Sequence, residues 1–243
     1  IIIFSAGIIV LFGAIDDALQ LGISIRLISQ IIAGLIVVGS GLTIVDIGGY
    51  MFLQPIKLGI FGILLSLLCV VGLTNAINFM DGIDGLSSGL TLISLFSIYV
   101  FSIFDGGLRD GNILVILGIC LLIFFIFNMG FVKINKIFLG DSGSMMLGYI
   151  LAWMLIYYSH PNTRSIHPVL TLWCVTLPVF DLLGVILRRI SNKINPFKPD
   201  RRHLHHLLLQ SGLSYRSTLL MILFMSLSSS IFGITIYKLF GPG

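Results

Sequence analysis

The chain is a series of apolar runs too long for strands and too poor in charge to form a soluble surface. They lie at Ile1–Ile15, Ile25–Ser40, Ile56–Thr74, Leu86–Phe104, Ile113–Asn128, Ser144–Tyr158, Val169–Leu187 and Thr218–Leu239. None keeps the alternation of a half-buried strand, so each reads as a helix. Lipid leaves backbone polar groups unsatisfied unless the segment satisfies them itself, which again selects helices. Charged residues are only 10% of the chain, hydrophobic residues are 57%, and the mean hydropathy is +1.09. A soluble domain carries roughly 25% charge. The expected fold is therefore all-α: a polytopic transmembrane bundle of eight helices, in one integral membrane domain over residues 1–243.

This composition excludes a nucleic-acid binder despite the net charge of +4. Cys69, Cys120 and Cys174 each sit in an apolar run, which excludes a secreted disulfide scaffold. The first run starts at Ile1 without Met and stops at Ile15. Fifteen helical residues rise about 22 Å, short of a roughly 30 Å hydrocarbon core. The expectation is that N-terminal helices are missing from this sequence.

The polar connections alternate between two sides. One side holds Asp16–Ser24, Asn75–Gly85, Gly130–Gly143 and Arg188–Ser217; the other holds Gly41–Pro55, Asp105–Asn112, Ser159–Pro168 and the C-terminus. With Arg26 at a helix end, the first side collects ten of the 14 Lys and Arg residues. Only Lys57, Arg109, Arg164 and Lys238 fall on the other. The positive-inside rule makes the first side cytoplasmic, which places the protein in the inner membrane. All ten acids are Asp, and Asp16, Asp17, Asp81, Asp84, Asp141 and Asp200 share that basic side with His203, His205 and His206. Solvation alone does not require such a bias, so a reactive site is expected at that face.

Four segments carry the chemistry. Asp16-Asp17 follows an apolar helix; two adjacent carboxylates at a low-dielectric boundary are costly unless a cation or a phosphate-handling task compensates. Asn75, Asn78, Asp81 and Asp84 recur every three residues, on one face if the segment stays helical. Their donors and acceptors suit a nucleobase or a hydrated metal. Phe138-Leu139-Gly140-Asp141-Ser142-Gly143-Ser144 opens a helix that Ser142 is placed to cap. Its N–H groups suit phosphate, Asp141 a metal and Phe138 base stacking. Asp200-Arg201-Arg202-His203-Leu204-His205-His206 lacks the HExxH spacing of a zinc helix. It reads as a basic loop gripping a diphosphate or anionic headgroups. Asp181, inside an apolar run, is either functional or paired with a nearby Arg.

In this order, the four segments resemble the polyprenyl-phosphate N-acetylhexosamine-1-phosphate transferases, the MraY/WecA family within glycosyltransferase family 4. The resemblance covers nearly the whole chain. It implies ten or eleven membrane helices in the complete protein, with two or three preceding Ile1. It also implies a reaction: a sugar-1-phosphate passes from a UDP-N-acetylhexosamine to polyprenyl (undecaprenyl) phosphate with release of UMP, using Mg²⁺ or Mn²⁺. Asp141 then matches the metal carboxylate, and Asn78 lies near the metal's shell. Asp16 and Asp17 match the catalytic pair, and His203, His205 and His206 the histidine motif. Asn75, Asn78, Asp81, Asp84, Asn128 and Phe138 match positions of the nucleotide cleft. Arg26 stands where a Lys often sits, and Arg202 extends the phosphate grip. A charged residue often follows the aspartate pair, where this chain has Leu19 and Gln20. The spaced His-Leu-His-His looks like the UDP-N-acetylglucosamine branch, which starts surface glycans such as O-antigen. The peptidoglycan branch, with its pentapeptide donor and three consecutive histidines, is the first alternative. An ion-coupled transporter is the second, but it needs polar groups near the midplane. Membrane lipids are the surroundings in every case, and a homodimer is left open.

Overall fold

The computed structural model describes residues 1–49, 54–105, 107–108, 110–132, 135–195 and 202–241. Among them are ten helices: α1 (Ile2–Leu19), α2 (Ile23–Gly39), α3 (Ile60–Phe79), α4 (Leu86–Phe104), α5 (Asn112–Asn128), α6 (Gly140–Ser159), α7 (Pro168–Cys174), α8 (Thr176–Ser191), α9 (Leu204–Gln210) and α10 (Tyr215–Phe240). The only extended pairing among the described residues is one bridge between Asp46 and Lys57. Four helices are long and apolar enough to cross a membrane, or five with α7 and α8 taken as one bent span. The protein is a multi-pass helical membrane protein.

Helix α6 is the central post, with α1 and α3 packed along it. Protein surrounds much of it: 12 of its 20 residues are buried. Tyr149, Leu151, Met154 and Tyr158 are buried on it, and the Tyr149 hydroxyl donates to Ser5 Oγ at 2.5 Å. Two glycines set the spacing. A Cβ at Gly148 would lie 2.6 Å from the Leu73 carbonyl oxygen of α3, and one at Gly13 2.4 Å from the Ser142 Cα of α6. Without a hydrophobic drive between helices in lipid, such close approaches of small residues supply the packing.

The expected single helix Val169–Leu187 is corrected: it is broken at Val175, and its halves are bent by 78°. Pro178 is the local cause. It has no N–H to donate to the Cys174 carbonyl, and its ring crowds that carbonyl. The freed groups are satisfied from neighbouring helices, as burial demands. Ser94 Oγ of α4 donates to the Cys174 oxygen at 2.7 Å, and Ser230 Oγ of α10 donates to the Trp173 oxygen at 3.1 Å.

The two ends of the bundle differ. At one end, the α2–α3 connection meets the α6–α7 loop, where Arg164 forks onto Asp46 at 3.0 and 2.9 Å. His167 packs beneath Gly48 and against the Tyr237 ring, and Tyr237 reaches Asp105 at 3.3 Å. Burial lowers the pKa of His167 and raises that of Asp105. The other end holds the candidate site.

Candidate active site

Helix α1 runs to Leu19, so Asp16 and Asp17 lie in its last turns rather than after it. Adjacent residues on a helix point about 100° apart, and the pair divides accordingly. Asp16 is 2% exposed. Its Oδ1 accepts the Leu21 N–H at 2.6 Å, and its Oδ2 lies 3.0 Å from Arg26 Nε. Asp17 is exposed and turns to the start of α6, accepting the N–H groups of Asp141 at 2.8 Å and Ser142 at 3.2 Å. This corrects two expectations. Ser142 does not cap α6: its hydroxyl donates to the Val10 carbonyl. The α6 N–H groups assigned to phosphate already hold Asp17, a carboxylate at a positive helix end. Gly140, at φ +66°, makes the turn into α6 and lets Asp17 approach; a Cβ there would lie 2.8 Å from Asp17 Oδ2.

The run from Asn75 to Asp84 does not form one face. Helix α3 stops at Phe79, so only Asn75 and Asn78 are helical. Asn78 Nδ2 donates to Asp141 Oδ1 at 2.9 Å and to Ser144 Oγ at 2.9 Å. Its nitrogen, not its oxygen, meets the Asp141 carboxylate, so Asn78 orients Asp141. Asn75 donates to Gln30 Oε1 at 2.6 Å, and Gln30 is fully buried. Sequence reading missed Gln30, although a lone amide inside the apolar run of α2 was the available signal.

Asp81 and Asp84 sit in the turn after α3, on a groove lined by Asp81, Gly82, Ile83, Asp84, Asn128, Phe138 and Leu139. Phe138 is 72% exposed there. Asp81 accepts from Ser87 at 2.5 Å, and Asp84 pairs with Lys136 at 2.6 Å. Asp81 keeps one side open to solvent. The protein crowded around it nevertheless raises its pKa; the Ser87 hydroxyl opposes that shift and Asp141, Asp84 and Asp17 add to it. Asn128, expected in the nucleotide cleft, spends its side chain on the backbone. Its Oδ1 accepts the Gly85 N–H at 2.6 Å and its Nδ2 donates to the Ile137 carbonyl at 2.8 Å. It ties the two walls of the groove together and is itself part of the groove lining.

The histidine segment is not a loop, as expected, but the start of α9. His203 occupies the N-cap position, and His205 and His206 lie on the helix. Asp181, left open by the sequence, is the anchor: its Oδ2 holds His203 Nδ1 at 2.6 Å and its Oδ1 accepts the Leu204 N–H at 2.7 Å. His205 is 1% exposed, and neither ring nitrogen has a hydrogen-bond partner. It lies directly on Gly82, where a Cβ would come 2.1 Å from its Nε2. Burial, then His206 and His203, push its pKa down to about 4. Unpartnered buried nitrogens are costly and call for a ligand or an ordered water. Arg202 is exposed, and its carbonyl accepts from Arg188 at 2.8 Å. Asp200 and Arg201 lie outside the described residues.

Asp16, Arg26, Asn78 and Asp141 thus converge in one cluster, His205 joins the nearby groove through Gly82, and Asp17 holds the cluster's helix from outside. Among the described residues, no three His, Cys, Asp or Glu side chains gather as a metal cage. Two carboxylates beside an open groove suit Mg²⁺, which is commonly held by one or two carboxylates, waters and substrate phosphates.

The sequence model of glycosyl transferase family 4 matches residues 1–159, which include the Asp16, Asn78 and Asp141 segments. The chain belongs to glycosyl transferase family 4. It is similar to undecaprenyl-phosphate alpha-N-acetylglucosaminyl 1-phosphate transferase of Escherichia coli K12, with 33% identity over 240 residues and 98% of this chain covered. The Yersinia pestis protein of the same name is 30% identical over 219 residues, or 89% of this chain. A probable undecaprenyl-phosphate N-acetylglucosaminyl 1-phosphate transferase of Bacillus subtilis 168 is 34% identical over 236 residues, or 95% of this chain. The chain spans 65%, 60% and 64% of the lengths of these three relatives. Family membership thus extends across the segments that build the cluster.

Proposed function

We propose that this protein transfers N-acetylglucosamine-1-phosphate from UDP-N-acetylglucosamine to undecaprenyl phosphate, releasing UMP and starting a surface glycan. The observation that carries the reading is the convergence of Asp16, Arg26, Asn78 and Asp141 at the start of α6, at a single end of the bundle. The names of the similar proteins support the donor and acceptor. The excess of basic residues on this end supports a cytoplasmic orientation, where a nucleotide sugar is available.

In the proposed reaction, an oxygen of the lipid phosphate attacks the sugar-bearing phosphorus. A new P–O bond forms there as the bond from that phosphorus to the bridging oxygen breaks, and UMP leaves with that oxygen. Such transfers depend on positioning and charge compensation more than on covalent help. Mg²⁺, when bound, would neutralise the diphosphate oxygens; Asp141 and Asp16 are the residues to hold it. Asn78 keeps Asp141 in one rotamer. Asp17 fixes the helix start that carries Asp141, which makes it a positioning residue in this reading. His205, neutral at physiological pH, presents ring nitrogens beside the Asp81 turn. The exposed Phe138 ring and the groove below it suit the uracil.

The test uses the full-length protein in detergent with undecaprenyl phosphate and Mg²⁺. UMP release is compared for UDP-N-acetylglucosamine, UDP-N-acetylgalactosamine and UDP-N-acetylmuramoyl-pentapeptide. Release from the first donor, abolished by EDTA and restored by Mg²⁺, is expected. Release only from the pentapeptide donor would move the protein to peptidoglycan synthesis.

A further inference from the structure

Arg26 lies against both of the carboxylates proposed above to hold the metal. Its Nε is 3.0 Å from Asp16 Oδ2, and its Nη1 is 3.5 Å from Asp141 Oδ2. Asp16's side chain is 1% exposed, whereas that of Arg26 is 30% exposed. A buried carboxylate needs compensation, and the guanidinium beside it supplies that. The bridge joins the start of α2 to α1 and α6; it lies over Asp16, while the Asp141 side chain stays 40% exposed.

We propose that Arg26 is a built-in competitor of the metal: an internal cation that a divalent ion must displace from Asp16 and Asp141. The inference rests on the metal reading proposed above. It has a mechanical consequence. The displaced guanidinium needs a new anion, and a diphosphate entering beside it is such a partner. Metal affinity in the empty protein is therefore held down, and metal and diphosphate bind best together. A residue that merely braced Asp141 would act in the opposite sense, because its removal would loosen the carboxylate and weaken the metal.

The two roles differ in the sign of one measurement. Mn²⁺ is titrated into the full-length protein in detergent, without nucleotide, and free Mn²⁺ is read by electron paramagnetic resonance. Arg26→Gln and Arg26→Met remove the charge, and Arg26→Lys keeps it. Both charge-removing variants are made so that poor folding of one, detected by its melting curve, leaves the other to decide. Binding on the order of tenfold tighter in the folded neutral variants is expected, within the usual range of coupling between sites. The Lys variant should stay near wild type. Equal or weaker binding in a folded neutral variant overturns the competitor role. Asp141→Asn separates this from the underlying reading. If it binds Mn²⁺ as wild type does, the metal assignment itself fails. If it loses the ion while the neutral Arg26 variants bind no tighter, only the role of Arg26 fails.

Discussion

Gly13→Ala tests whether the contact between α1 and α6 sets the geometry of the cluster. The new Cβ would lie 2.4 Å from the Ser142 Cα and 2.9 Å from its nitrogen, both backbone atoms that cannot rotate away. To reach 3.0 Å, below which Cβ contacts essentially never fall, the helices must separate by 0.6 Å; for ordinary contact at 3.4 Å they must separate by 1.0 Å. The contact lies one turn from Asp16 and Asp17 and one residue from Asp141. The shift therefore acts on the Asp17 bonds of 2.8 and 3.2 Å that hold the start of α6. Overpacking a tight contact costs about 1–3 kcal/mol, and misplacing reacting groups by about 1 Å costs on the order of a hundredfold in rate. The expected result is a lowered melting temperature with UMP release reduced by about two orders of magnitude. The assay is initial-rate UMP release at saturating donor and acceptor, paired with a thermal melt in the same detergent. A Gly13→Ala protein with wild-type turnover and melting would refute the argument that this approach is rigid.

Three further outcomes are expected. Asp141→Asn should abolish UMP release by more than a thousandfold while the protein still inserts, read by activity and membrane fractionation; near-normal turnover would remove Asp141 from the metal role. His205→Ala should slow transfer by orders of magnitude, and pH adds an independent check. The folded pKa near 4 lies below the ordinary 6.5, so the unfolded chain binds the proton more readily between those values. Stability is therefore full above about pH 6.5 and falls by up to about 3 kcal/mol as pH drops towards 4; melting curves of the wild type and His205→Asn should converge in that window, and parallel curves would contradict it. Arg164→Met, at the far end, leaves the Asp46 carboxylate without its forked partner, so it should cost roughly 1–3 kcal/mol of stability while leaving the KM for donor unchanged; a changed KM would mean that the two ends are coupled.

Much of the fold was legible because lipid restricts the choices. The apolar runs and the alternation of their polar ends foretold eight helical segments and a one-sided cluster of Asp and His, and contacts confined to each end now match that division. The failures were local. Pro178 was visible, but whether a proline kinks or ends a helix depends on who accepts the freed carbonyls. Ser94 and Ser230 do so from helices distant in sequence. The three-residue spacing of Asn75 to Asp84 promised a face that the end of α3 at Phe79 divides.

Residue types and their order were enough to place the chain beside its family and to single out Asp16, Asn78 and Asp141, which the fold brings into one cluster. Only the tertiary structure assigned the work within that set. It turned Asp17 outward to hold α6, spent Asn128 on the backbone, recruited Gln30 and Asp181, and set Arg26 between two carboxylates. The physical reason is that a motif specifies which groups are available, whereas hydrogen-bond partners come from helices far apart in the chain. Close approaches such as Gly13 on Ser142 and Gly82 on His205 decide which of those groups meet.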